Sequence, residues 1–164
     1  MNENIKETEK ESTRKNPFFE PYDTPHETVP FDRIRIEDYE EAFIEGIRRE
    51  DEQLEKIINN TEKPTFDNTI IYQEEDDKEH YYDLLSRVST VFFNMLSANT
   101  NDEMDALAQK IQPMLTKHAN DVRLNKKLFE RIKHVHRYHR ILTGEEKQLL
   151  DDEYDGLVRG GALL

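Results

Sequence analysis

The sequence predicts an all-α protein: an antiparallel, bundle-like array of about five helices behind an extended arm rich in proline and aromatic residues. From Tyr39 onward, apolar residues recur three and four positions apart, the period of one helix face. Capping signals stand where those runs begin, as at Thr143 with Glu146 three residues on. The third observation is negative: neither period-two alternation nor β-branched clusters mark a strand.

Residues 1–15 are polar and charged apart from Ile5, too little apolar surface to offset the cost of ordering, so a mobile tail is expected. Residues 16–164 form the helical section proper. Its first stretch, "NPFFEPYDTPHETVPFDRI", interleaves Pro17, Pro21, Pro25 and Pro30 with Phe18, Phe19, Tyr22 and Phe31. The prolines forbid a helix while the rings supply anchors, which predicts an extended arm laid over something else.

The first helix is predicted over about 37–59, with Tyr39, Phe43, Ile47, Leu54, Ile57 and Ile58 on one face. "NNTEKPTF" ends it, and Thr65 with Asp67 two residues on can cap a second helix, predicted over 66–98 with Tyr81, Leu85, Val88, Phe92 and Met95 or Leu96 on its apolar side. The acidic "EEDDKE" is a candidate break within it. A third helix opens at "NTND" and runs through Met104, Leu107, Ile111 and Leu115, and Pro113 is expected to kink or restart it. A fourth begins near Asn125, and a fifth opens at Thr143 and ends at Gly160 and Gly161.

At 164 residues the chain has the size of one domain and can bury roughly two-thirds of its extended surface. Yet only 35% of the residues are apolar and 36% are charged, so the apolar stripes are narrow and a self-sufficient core is expected to be thin. A net charge of −13 argues against nucleic acid or an anionic membrane as the partner of the whole surface. Without cysteine there is no disulfide framework, thiol nucleophile or cysteine-based zinc site. The first residues lack the apolar core of a signal peptide and no run is long enough to span a membrane, which predicts a cytoplasmic protein. Charge is unevenly shared: residues 37–79 are acidic and "RLNKKLFERIKHVHRYHR" is basic, read as attraction between helices or as solvated faces.

The candidate chemistry dissolves under geometry. His26–Glu27 begins like a zinc-peptidase HExxH motif, but Pro30 fills the fifth position and Pro25 precedes it, so no helix can bring two ligands onto one face. In "HVHRYHR", His136 and His139 lie about 60° apart around a helix while His134 points about 140° from His139, so three ligands cannot converge. His139 falls on the stripe of Leu128, Ile132, Val135 and Leu142 and is expected to be half-buried and hydrogen-bonded, whereas His134 joins the basic face with Lys126, Lys133 and Arg137. His80, Asp83 and Ser86 stand at i, i+3, i+6 but do not aim a nucleophile at a base, and no oxyanion loop accompanies them. Asp151, Asp152 and Glu153 read as a solvated helix face. No catalytic, cofactor-binding or metal-binding residue is assigned.

Several stretches in register nevertheless form a pattern: "NPF", "VPFDRIRIEDYEEAF", "PTFDNTI", "LLSRVSTVFF", "LNKKLFERI" and "YDGLVRGGALL". From about Asn16 to the end, the chain resembles the amino-terminal section of the thimet-type zinc oligopeptidases, in particular the bacterial peptidyl-dipeptidase and oligopeptidase A branch. The resemblance implies a mostly helical enzyme whose two lobes flank a deep channel, with zinc held by HExxH and a further glutamate in sequence beyond Leu164. It implies for these residues part of the channel wall, inactive alone, with the catalytic part of the same enzyme and short peptides as partners. Zinc would belong to the full-length enzyme, and none of its ligands maps onto this chain. Two departures stand out: Tyr72 to Asp83 is longer and more acidic than the family's link, and Leu163 stands where the family carries a polar residue. The alternative is a stand-alone helical interaction module derived from the peptidase scaffold.

Overall fold

A computed structural model describes residues 14–71, 83–98 and 101–163. Among these, the chain forms six helices and no strand: α1 (Ile36–Ile58), α2 (Phe66–Thr69), α3 (Leu84–Ala98), α4 (Asp102–Arg123), α5 (Lys126–Tyr138) and α6 (Gly144–Arg159). The all-α expectation is met.

The arm is less extended than its prolines suggest. Pro17–Phe19 and Pro25–Glu27 form single 3-10 turns, each with proline in its first turn where a missing N–H costs nothing. The Asn16 side chain accepts from the Phe18 N–H at 3.0 Å and seats the first turn so that Phe18 is fully buried against Tyr39 of α1. Arg14 and Lys15, placed with the tail in the sequence reading, are engaged by Asp38 and Glu20. The rest of that tail, residues 1–13, lies outside the described residues.

Helix α1 is the axis of the molecule, and its ends follow electrostatics. Asp38, in the first turn, accepts the Arg35 N–H at 2.6 Å, and Lys56 lies in the last turn, each charge opposing the helix dipole. The amino-terminal half carries Tyr39, Ala42 and Phe43 into one apolar cluster with Phe18, the α3 residues Leu84, Leu85, Val88, Val91 and Phe92, and Met104, Leu107, Ala108 and Ile111 of α4. Its rings meet edge-on: Phe92 sits 5.2 Å from Tyr39 and 5.4 Å from Phe43 between centroids, pairings worth about 0.5–1.5 kcal/mol each beyond simple burial. The carboxyl-terminal end contributes Ile57 to a second cluster with Phe66 and Ile70, Leu128, Phe129, Ile132 and Val135 of α5, and Leu150 and Leu157 of α6. Between the clusters α1 turns polar, with Glu45, Arg48 and Arg49 paired along the helix.

The second helix differs from its predicted span of 66–98. Thr65 caps α2 as expected, accepting from the Asn68 N–H at 3.1 Å while Asn68 accepts from Thr65 at 2.8 Å. But α2 is a single turn, because Ile70 and Ile71 both fold back onto the Phe66 carbonyl and enter the second cluster. Residues 72–82, which include the predicted break and Tyr81, lie outside the described residues. Pro113, expected to kink or restart its helix, does not restart it: α4 continues from Asp102 to Arg123 under an Asn101 cap.

Helices α5 and α6 begin where the caps predict, at Asn125 and Thr143. The end of α6 is closed by Gly160 and Gly161: Gly161 donates to the Val158 carbonyl at 3.2 Å and Ala162 to that of Leu157 at 3.1 Å. This reversal holds Gly161 at φ 100°, a left-handed conformation that side chains other than glycine's resist.

Candidate functional site

Among the described residues, several groups with chemical capacity sit in structural bonds, whereas Tyr22 Oη and His134 Nε2 are buried without a hydrogen-bond partner. Asp38 is almost fully buried and takes two short bonds from Arg14, at 2.7 and 2.6 Å, besides the Arg35 N–H. The Asp38 carboxylate raises the Arg14 pKa above its ordinary value. Asn16 completes this knot by donating to the Asp38 carbonyl and to Glu41, both at 2.9 Å. Together these contacts lash the arm to the first turn of α1. Beside them lies an open cleft of about 410 Å³ between the arm and the start of α1. Among its charged residues Lys15 bonds Glu20 and Arg33 bonds the Asp23 carbonyl, and the Asp23 and Asp32 carboxylates also line it. Tyr22, on the same cleft, has its pKa raised by burial, and Arg87, over its ring, opposes that shift.

The histidines fall apart as the helical angles require, with two corrections. His134, placed on the basic face, is half-buried, its Nε2 enclosed and its ring packed against Tyr138, 5.0 Å between centroids. His136 stacks on Tyr154 of α6 at 4.2 Å and reaches Asp151 at 3.3 Å. His139 is exposed instead of half-buried: α5 stops at Tyr138, so His139 turns extended as the cap and its ring bonds the Arg140 carbonyl. The face it was assigned to no longer exists beyond the helix end. His26 lies in the second 3-10 turn at φ 60°, not on a helix, and its ring is exposed. Of the proposed i, i+3, i+6 set, His80 lies outside the described residues, Asp83 pairs with Arg87 at 3.6 Å, and Ser86 is exposed. Asp152 and Glu153 are exposed on α6, while Asp151 has its pKa lowered first by Lys147, with His136 adding to it.

Of the buried polar residues that escaped the sequence reading, Asp38, Gln53, Thr69, His118 and Arg131, the last two join the most distant segments. His118 of α4 is 8% exposed and offers one ring nitrogen to Glu50 at 2.8 Å and the other to Asp51 at 3.1 Å. It stands seven residues beyond Ile111 and fourteen beyond Met104, so its burial was legible in the apolar stripe of α4. Arg131 of α5 is equally buried and has carbonyls for partners: Nη1 donates to Asn60 at 2.8 Å, and Nη2 to Asn68 Oδ1 at 3.1 Å. Burial alone lowers its pKa. It pins the α1–α2 loop and α2 to α5. Neither residue faces an opening, and both serve packing.

Among the described residues, no three histidine or carboxylate side chains could hold a metal ion together. The two carboxylates around His118 lie on opposite sides of its ring, and the three histidines of the α5 region face a tyrosine, a carboxylate on α6 and a backbone carbonyl. This donor set does not fit zinc, which needs ligands converging at about 2.0–2.3 Å.

What the geometry does not reveal, sequence comparison does. The chain is 36% identical over 151 residues, 91% of its length, to a dipeptidyl carboxypeptidase of Salmonella typhimurium, and 34% identical over 154 residues to one of Escherichia coli K12. The expected resemblance to the amino-terminal section of the thimet-type peptidases is met. It spans about a fifth of the length of these relatives, 22% in each case. It matches no protein-family model. No described helix is long and apolar enough to cross a membrane.

Proposed function

We propose that the chain serves as the amino-terminal helical section of a peptidase acting on short peptides, in the manner the name dipeptidyl carboxypeptidase describes. It supplies part of the wall of the substrate channel and no bond-breaking group. The observation that carries this is the 36% identity over 151 residues to a peptidase, joined to buried Asp38, His118 and Arg131, which bond to neighbouring elements of the fold. In that role the knot at Asp38 fixes the arm, α1 sets the spacing of the two apolar clusters, and the exposed faces border the rest of the enzyme. Zinc, where the whole enzyme carries it, would activate water on ligands outside this chain, and no step of hydrolysis is assigned to these residues.

A second reading has one observation in its favour. The two clusters are closed and the helices carry their own caps, as an independent interaction module requires. The proposal is tested with the chain alone and with a chimera in which it replaces the matched stretch of the Salmonella relative. The chain alone is expected to leave a short peptide intact with zinc present, and the chimera to hydrolyse it. Zinc-dependent hydrolysis by the purified chain alone, or a folded chimera without activity, refutes it.

A further inference from the structure

The two apolar clusters are separated along α1 by its polar middle, and α4, like α1, reaches both. Met104, Leu107, Ala108 and Ile111 of α4 lie in the first cluster, while Val122, in the last turn, packs against the second. His118 stands between them, buried, with Nε2 2.8 Å from Glu50 and Nδ1 3.1 Å from Asp51, both on α1. A neutral imidazole carries a single N–H, so one of its nitrogens would turn a lone pair toward a carboxylate oxygen. Only the imidazolium presents an N–H to each. On α4 itself Lys117 and Asp121 pair with each other, and Lys117 also lies within the field of Asp51. Nearer the first cluster Lys110 and Glu40 tie the same two helices without a histidine.

We propose that His118 is a proton-dependent tie between α4 and α1 at the joint of the two clusters: as the imidazolium it is drawn to both carboxylates and seats the last turns of α4, and as the neutral ring it gives up one contact and lets those turns loosen. The inference is independent of the peptidase reading. Its direction follows from the charges. In the folded chain the proton gains two facing carboxylates that the unfolded chain does not hold in place. The tie is therefore complete on the acid side of the range in which imidazole changes charge, about pH 5–8, and is lost as pH rises through it. Both carboxylates reach solvent, which screens the attraction and makes the effect a few-fold one. It is also local, because the α4 residues of the first cluster are held by apolar contacts that do not titrate.

The test follows the full chain from about pH 5 to 8 by amide hydrogen exchange, corrected for the intrinsic rise of exchange with pH, and by the NMR shifts of the His118 ring nitrogens. Protection of residues 115–123 is expected to fall by about three- to tenfold over the interval in which the ring passes from doubly protonated to neutral, while residues 104–111 keep theirs. In His118→Gln that fall is expected to vanish, and in Asp51→Asn to shrink to about twofold or less, because the amide that replaces the carboxylate can serve either state of the ring. A ring that keeps one charge state across the range, a ring that titrates with no change in 115–123, a fall shared equally by 104–111, or a fall that survives in His118→Gln overturns the tie. The first three outcomes are read on the wild-type chain, so they decide the matter even where a substituted chain does not fold.

Discussion

Replacing Gly46 by alanine sets two magnitudes against each other. Alanine favours the helix by about 0.8–1.0 kcal/mol over glycine, a gain available wherever the new methyl has room. At Gly46 it has none: the Cβ would lie 2.9 Å from the Leu85 Cα and 3.0 Å from both its Cβ and its amide nitrogen. Two of these atoms are backbone and cannot rotate aside, so α3 must move away as a body. Displacing α3 loosens Phe92, which is fully buried between Tyr39 and Phe43, and overpacking of this kind costs roughly 1–3 kcal/mol and more where backbone is involved. The crowding offsets or exceeds the propensity gain, leaving a net loss of up to about 2 kcal/mol. For a chain of this size that lowers Tm by up to about 8 °C. Urea unfolding of Gly46→Ala beside Gly156→Ala makes the comparison internal, because Gly156 has nothing within 4 Å and should gain up to about 1 kcal/mol. If the two variants shift in the same stabilising direction, helix propensity governs both sites and the close crossing of α1 and α3 is refuted.

Asp38→Ala removes two bonds to Arg14 and one to the Arg35 N–H, so it should cost about 2–4 kcal/mol and free the arm, seen as faster protease cleavage between residues 14 and 35. Arg131→Lys should fail to rescue Arg131→Met, both losing roughly 2 kcal/mol in urea unfolding, because an ammonium cannot span the Asn60 carbonyl and Asn68 as the guanidinium fork does. Bonds from Arg48, then Arg49, lower the Glu45 pKa from 4.5 to about 2. A folded pKa below the unfolded one adds stability above about pH 4.5 that is lost as pH falls toward 2. With 26% of the side chain exposed, solvent screening limits this to about 1 kcal/mol, so Glu45→Gln should be less stable than wild type at pH 7 and nearly equal to it at pH 2. Equal stability at both pH values would show that the pair contributes nothing.

Helix existence was legible from the apolar stripes, and for α4, α5 and α6 from a capping residue as well. Thr143 with Glu146, Asn101 and Asn125 each sit at the start they predicted. Helix extent was less legible where tertiary burial competes with continuation. The 66–98 span had the right period on both sides, yet the pull of Ile70 and Ile71 toward α5 ends α2 after one turn. His139 was misplaced for a related reason, since angular position is meaningful only while the helix lasts and α5 stops one residue before it. Both errors come from extrapolating a period past a boundary set by three-dimensional contacts.

The buried charges show why the candidate site could not be read more sharply. A carboxylate, a guanidinium or an imidazole in a cleft suggests chemistry only when part of its bonding capacity is left for a substrate. Asp38 has both oxygens occupied, His118 has both ring nitrogens on carboxylates, and Arg131 donates through both terminal nitrogens to fixed oxygens. Such groups hold elements in register: the arm to α1, α4 to α1, and the α1–α2 loop to α5. That is the use a scaffold makes of polar residues, and it accords with a section of a peptidase that shapes a channel. The glycines carry the same logic outward. Where Gly46 leaves room, a neighbouring helix has taken it, whereas Gly156 faces open space.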